Sequence, residues 1–214
     1  MICSGTSAEL RLLIVKSGWR SPVALLVLMS IAMPVAFNTW NALLNNFVVE
    51  RASFTGVEIG ILQSLREVPG FIAFTTVFVL LLIREQTFAV VSLAILGAGV
   101  AATGFFPTVY GLYFTTVIMS LGFHYFEAVK QSLSLQWLSK DEAPQVLGRL
   151  ISVASITSLV VYGVLWVFLE VFQLDYLWNY LLAGTLCAGF AVVMWLGYPP
   201  VSYTPLTLPT ICSV

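Results

Sequence analysis

Two long stretches, 87–106 and 150–169, contain no Asp, Glu, Lys or Arg at all. A helix on the surface of a water-soluble domain needs a polar or charged face, so these runs do not fit one. Hydrocarbon suits them, and it admits only helices or closed barrels, because every backbone N–H and C=O must be satisfied within the protein. Crossing it as a helix takes about 17–25 residues. Six candidate spans follow, at about 22–48, 57–83, 87–106, 108–138, 150–171 and 176–198. The longer ones imply tilt or extension beyond the bilayer. The chain has 59% hydrophobic and only 9% charged residues, where an ordinary soluble domain has about 25% charged. The expected fold is all-α, a polytopic membrane protein of six transmembrane helices over 21–198. A cytoplasmic segment, 1–20, precedes the bundle, and an uncharged, proline-rich tail, 199–214, follows it and is expected to be disordered.

Basic residues set the orientation. Arg11, Lys16 and Arg20 precede the first span, Arg84 lies between the second and third, and Lys140 and Arg149 lie between the fourth and fifth. The opposite side has only Arg51. The excess of Lys and Arg predicts that both termini are cytoplasmic, in a multi-pass protein of the cell inner (plasma) membrane. The apolar run from Pro22 continues too far to be the core of a cleaved secretory signal, which is about 7–15 residues long. It reads as a retained first helix. Cys3, Cys187 and Cys212 show neither metal-ligand spacing nor a disulfide framework, and Cys187 reads as a small packing residue.

Against that background, Arg66, Glu67, His124, Glu127 and Lys130 interrupt the apolar spans. A charge at the bilayer centre costs about 2.5–3.5 kcal/mol on the most lenient scale, so such groups face a partner or a polar cavity. Ser120, His124, Glu127, Gln131 and Ser134 recur at intervals of 4, 3, 4 and 3 and share one helix stripe. Asn38, Asn41 and Asn45 form a shorter stripe on the first span. The second span carries Gln63, Arg66 and Glu67 before a Pro69-Gly70 kink, and the fifth carries Ser152, Ser155 and Ser158. The third and sixth spans are bland. Ala94, Ala98 and Ala102, with Gly184 and Ala188, have the four-residue spacing of close helix contacts. Spans 1, 2, 4 and 5 are therefore expected to face a cavity, with 3 and 6 as lipid-facing supports. Matching 1 with 4, 2 with 5 and 3 with 6 suggests two inverted three-helix repeats, whose interface is where secondary transporters bind.

The candidate substrate or proton-pathway residues are Asn38, Asn41, Arg66, Glu67, His124, Glu127 and Gln131. The simpler alternative is that Arg66 with Glu67, and Glu127 with Lys130, are charge pairs that fix helix packing. Lys130 could snorkel to the cytoplasmic interface. His124 and Glu127 have ligand spacing, but this is the only His in the chain and a metal site needs about three or four ligands, so no metal or cofactor is expected. His124 suits a proton carrier, its unperturbed pKa being about 6.5.

The segments Phe54–Gly70 (FTGVEIGILQSLREVPG) and Gly122–Arg149 (GFHYFEAVKQSLSLQWLSKDEAPQVLGR), with the six-span pattern, resemble the N-terminal half of a bacterial major facilitator superfamily transporter. The resemblance covers roughly 20–198. The family's basic loop after the second helix is reduced here to Arg84, and the antiporter glycine-proline pattern is missing from Leu150–Tyr162. The resemblance implies secondary transport of a small polar solute, with optional proton coupling, as one half of a twelve-helix carrier. A second six-helix half or a self-associated copy would complete it. The alternatives are a substrate-capture subunit of a multi-subunit transporter, or an inactive truncated fragment. No Gly-x-Ser-x-Gly or His-Glu-x-x-His pattern occurs in a span, so an enzyme is not expected. The near-neutral net charge of −1 argues against nucleic acid, leaving the lipid bilayer and a small-molecule solute as partners.

Overall fold

A computed structural model describes residues 21–197. The expectations for segments 1–20 and 199–214 lie outside the described residues. The elements, in order, are α1 (Pro22–Ala52), α2 (Gly56–Ile72), a 3-10 turn (Ala73–Thr75), α3 (Thr76–Leu80), α4 (Glu85–Thr103), α5 (Val109–Trp137), α6 (Ala143–Trp166), a π turn (Val167–Val171) and α7 (Tyr176–Gly197). Among the described residues the fold is all-α.

The helix ends follow from local chemistry. Ser21 caps α1 by accepting from the Ala24 N–H at 3.1 Å, and Pro22 fills the first helical position, where a missing amide costs nothing. At the far end Ser53 takes a left-handed φ of 53°, and the Phe54 N–H turns back to the Val48 carbonyl at 3.1 Å. Two residues later Thr55 and Glu58 form a reciprocal capping box that starts α2. A connection this short makes α1 and α2 run in opposite directions.

Four helices are long and apolar enough to cross a membrane: α1, α4, α7, and α6 with its π turn. The second and fourth expected spans do not qualify, and these are the two that hold the five ionisable residues. The second is broken into α2, the 3-10 turn and α3, downstream of Pro69. The fourth, α5, is an unbroken 29-residue helix whose serines, tyrosines, His124, Glu127 and Lys130 dilute its apolar character. The outward surfaces are apolar. Phe71, Leu82, Leu159 and Leu196 are each at least 71% exposed, and α6 alone exposes Ile151, Ile156, Leu159, Val160 and Trp166. Soluble monomers rarely show such continuous apolar surface.

The principal packing pairs are α4 with α5, α4 with α7, α1 with α6, α1 with α7 and α2 with α5. Leu26, Met29, Trp40, Leu44, Phe126 and Tyr180 are fully buried at these contacts. The third and sixth spans are therefore more than lipid-facing supports, since α4 lies between α5 and α7. Their close contact uses a different face from the one expected. A Cβ on Gly97 would stand 2.7 Å from the Gly184 carbonyl oxygen, and one on Gly184 would stand 2.5 Å from the Ala101 amide. Gly184 and Ala188 are the expected partners, but they meet Gly97 and Ala101, while Ala98 is exposed. Glycine is needed here because any side chain would force the helices apart. Cys187 packs in the same seam, buried, with its thiol 3.6 Å from the Leu93 carbonyl.

Candidate functional site

Helix α5 has two working faces. One is sealed against α2 and its continuation. The Tyr113 hydroxyl donates to the Glu58 carbonyl at 3.4 Å, and the Ser120 hydroxyl donates to the Arg66 carbonyl. The Tyr125 and Thr75 hydroxyls meet at 2.7 Å. The His124 ring packs against Gly70, where an added Cβ would stand 3.0 Å from it. The edge-to-face neighbour of its imidazole is Phe123, with centroids 5.1 Å apart. Pro69 has no amide hydrogen to give the Leu65 carbonyl; Ser120 bonds the next carbonyl, Arg66, and Tyr125 meets Thr75 in the 3-10 turn beyond the proline.

The other face of α5 opens on a cleft of about 580 Å³ between α1, α5 and α6. Glu127, Lys130, Gln131 and Ser134 line it from α5, and Ser155 and Ser158 from α6. Ser30, Phe37 and Asn38 line it from α1. Lys130 donates to Glu127 Oε1 at 3.2 Å, with side chains 17% and 39% exposed. One end of the cleft is braced by two contacts. Asn38 Nδ2 donates to Ser158 Oγ at 2.7 Å, and the Phe37 and Phe123 rings stack with centroids 4.2 Å apart. Towards the other end, Pro34 on α1 deprives the Ser30 carbonyl, four residues earlier, of its helical amide donor. The Ser30 hydroxyl is buried and has no hydrogen-bond partner among the described residues.

Of the seven candidate residues, the cleft brings together Asn38, Glu127 and Gln131. His124 is turned to α2. Arg66 and Glu67 pair with each other on α2, at 2.7 Å from Nη2 to Oε1, with Glu67 54% exposed. Asn41 is exposed on α1 and does not line the cleft. The expectation that four spans share one cavity is corrected to three: no residue of α2 lines the cleft, its Arg66 and Glu67 pair with each other, and α5 meets its backbone carbonyls. Lys130, read from sequence as able to snorkel to the cytoplasmic interface, lines the cleft.

Sequence reasoning passed over two further clusters. Glu85, buried in the first turn of α4, accepts from Ser132 Oγ at 3.0 Å and from Gln136 Nε2 at 2.7 Å. The helix N-terminus favours a carboxylate there. The four-residue spacing of Ser132 and Gln136 was a visible signal, but their partner lies on another helix. At the opposite end of the bundle Arg51 pairs with Asp175 at 2.9 Å and Tyr176 donates to Glu50 at 3.0 Å, tying the end of α1 to the start of α7. Among the described residues no group of His, Cys, Asp and Glu could hold a metal ion.

No protein-family model matches the chain, and neither a curated protein nor a solved structure matches it.

Proposed function

We propose that this chain is a six-helix unit of a secondary transporter, resembling half of a major facilitator superfamily carrier, which binds a small polar solute in the cleft between α1, α5 and α6. The observation that carries this reading is the Glu127–Lys130 pair, set in a cleft within a bundle that is apolar outside. Charges are kept at such depth when they serve a solute or ion path. In this reading α2 with α3 forms the second span and α5 the fourth, giving six. Exchanging α1 with α5, α2 with α6, and α4 with α7 maps every principal packing pair onto another or onto itself, as two inverted repeats require. The basic residues orient both termini to the cytoplasmic side of the plasma membrane. Glu127 is the proton-coupling candidate inside the cleft, with His124 and Glu67 outside it. Alternating access needs an opposing wall, supplied by six further helices or by a second copy.

The test is uptake of a labelled panel of sugars, amino acids and nucleosides into liposomes carrying the full chain, with and without an imposed pH gradient. Uptake of one class, lost in Glu127→Gln, supports the reading. Absence of uptake for the whole panel sinks it as a self-sufficient carrier. The cleft is lined by helices of one unit, which favours a second reading, a capture subunit. Saturable binding without uptake would select it.

A further inference from the structure

The cleft's charge balance narrows the solute class, an inference that rests on the solute-binding reading above. Among the described residues that line it, Glu127 and Lys130 are the only Asp, Glu, Lys or Arg, and they are in contact with each other at 3.2 Å. A solute of net charge would leave one of them, or itself, without a counter-charge in a weakly screened cleft. A neutral polyol would leave the pair closed and unused. A zwitterion with adjacent opposite charges can do better by exchanging partners. Its ammonium donates to the Glu127 carboxylate, and Lys130 Nζ donates to its carboxylate.

We infer that the cleft recognises an α-amino acid, held head-first by Glu127 and Lys130. In such a solute both charged groups sit on one carbon, so their separation is of the same order as the gap between the two side chains. Four charges then alternate in sign, and none is left unpaired. The stacked Phe37–Phe123 rings at the braced end offer an apolar wall to the solute's side chain.

The experiment is thermal stabilisation of the full chain in lipid nanodiscs. The ligands are the twenty common α-amino acids, the amide and N-acetyl derivative of each, and a set of neutral sugars and polyols. At least one unmodified amino acid should stabilise the protein saturably. Its amide, which lacks the carboxylate, and its N-acetyl form, which lacks the ammonium, should each bind about tenfold or more weakly, the cost of losing one charged hydrogen bond. Glu127→Gln and Lys130→Gln should show the same loss, and the exchange Glu127→Lys with Lys130→Glu should restore part of it. Partial rescue separates recognition from a mere folding defect. Stabilisation by a sugar, by derivatives as well as by the parent, or by no member of the panel overturns the inference. Uptake of a sugar into liposomes would overturn it while leaving the carrier reading intact. Amino-acid binding without uptake would do the reverse.

Discussion

Helix α5 presents one side to α2 and the other to α1 and α6, and the two sides have opposite fates. Towards α2, hydroxyls of Tyr113, Ser120 and Tyr125 are spent on two backbone carbonyls and a threonine, and His124 lies against a glycine. Those three hydroxyls hold the two helices together. Towards α1 and α6, the charged groups of Glu127 and Lys130 have only each other among the described residues, and Gln131 stands exposed in a cleft. Polar residues on one helix are thus of two kinds. Those that satisfy a neighbouring backbone are structural glue, and those left to satisfy one another beside a void are available to a solute.

The largest contrast should come from chemical access. Gln131→Cys, in a background lacking the native cysteines, should react with a water-soluble maleimide on the order of a hundredfold faster than Ser120→Cys, since a sealed position reacts only through local opening. Equal rates would erase the distinction between the two sides. Next, Glu127→Gln should lower solute affinity by about tenfold or more, while costing stability about 1 kcal/mol or less, as expected for a partly exposed pair. Gly70→Leu should do the opposite. It drives a side chain into His124, costs about 1–3 kcal/mol in unfolding measurements, and leaves maleimide access at position 131 unchanged. The smallest effects separate the two sides most finely. Ser120→Ala and Asn38→Ala should each cost about 0.6 kcal/mol, a typical interhelical hydrogen bond in a membrane. Only the latter should alter solute binding.

Much of this was legible in the chain itself. Uncharged runs located α4 and α6, and the 4, 3, 4, 3 spacing identified α5 as the polar helix. The division of that stripe between two partners was not legible. A repeat averaging 3.5 residues drifts about 20° per heptad around a helix of 3.6. Over two heptads that leaves all five within an arc of about 80°, with Gln131 between Ser120 and His124, so the division follows height along α5: α2 covers the stripe at Ser120 and His124, and the cleft begins at Glu127. The small-residue spacing of Ala94, Ala98 and Ala102 likewise did not show that Gly97 and Ala101 make the contact between α4 and α7. Glu85 was passed over because its donors, Ser132 and Gln136, come from a helix far along the chain. Periodicity shows which residues share a face. It does not show what that face meets.

Pro34 carries a mechanical consequence. The Ala52 end of α1 is pinned to α7 by Arg51–Asp175 and Glu50–Tyr176, whereas the stretch around Ser30 has lost a rung of its ladder beside the void. A rod clamped at one tip and jointed at its middle works as a lever. Gripping a solute at the joint should swing the Val23 arm and leave the Val49 arm at rest. Spin labels at those two positions would register the difference.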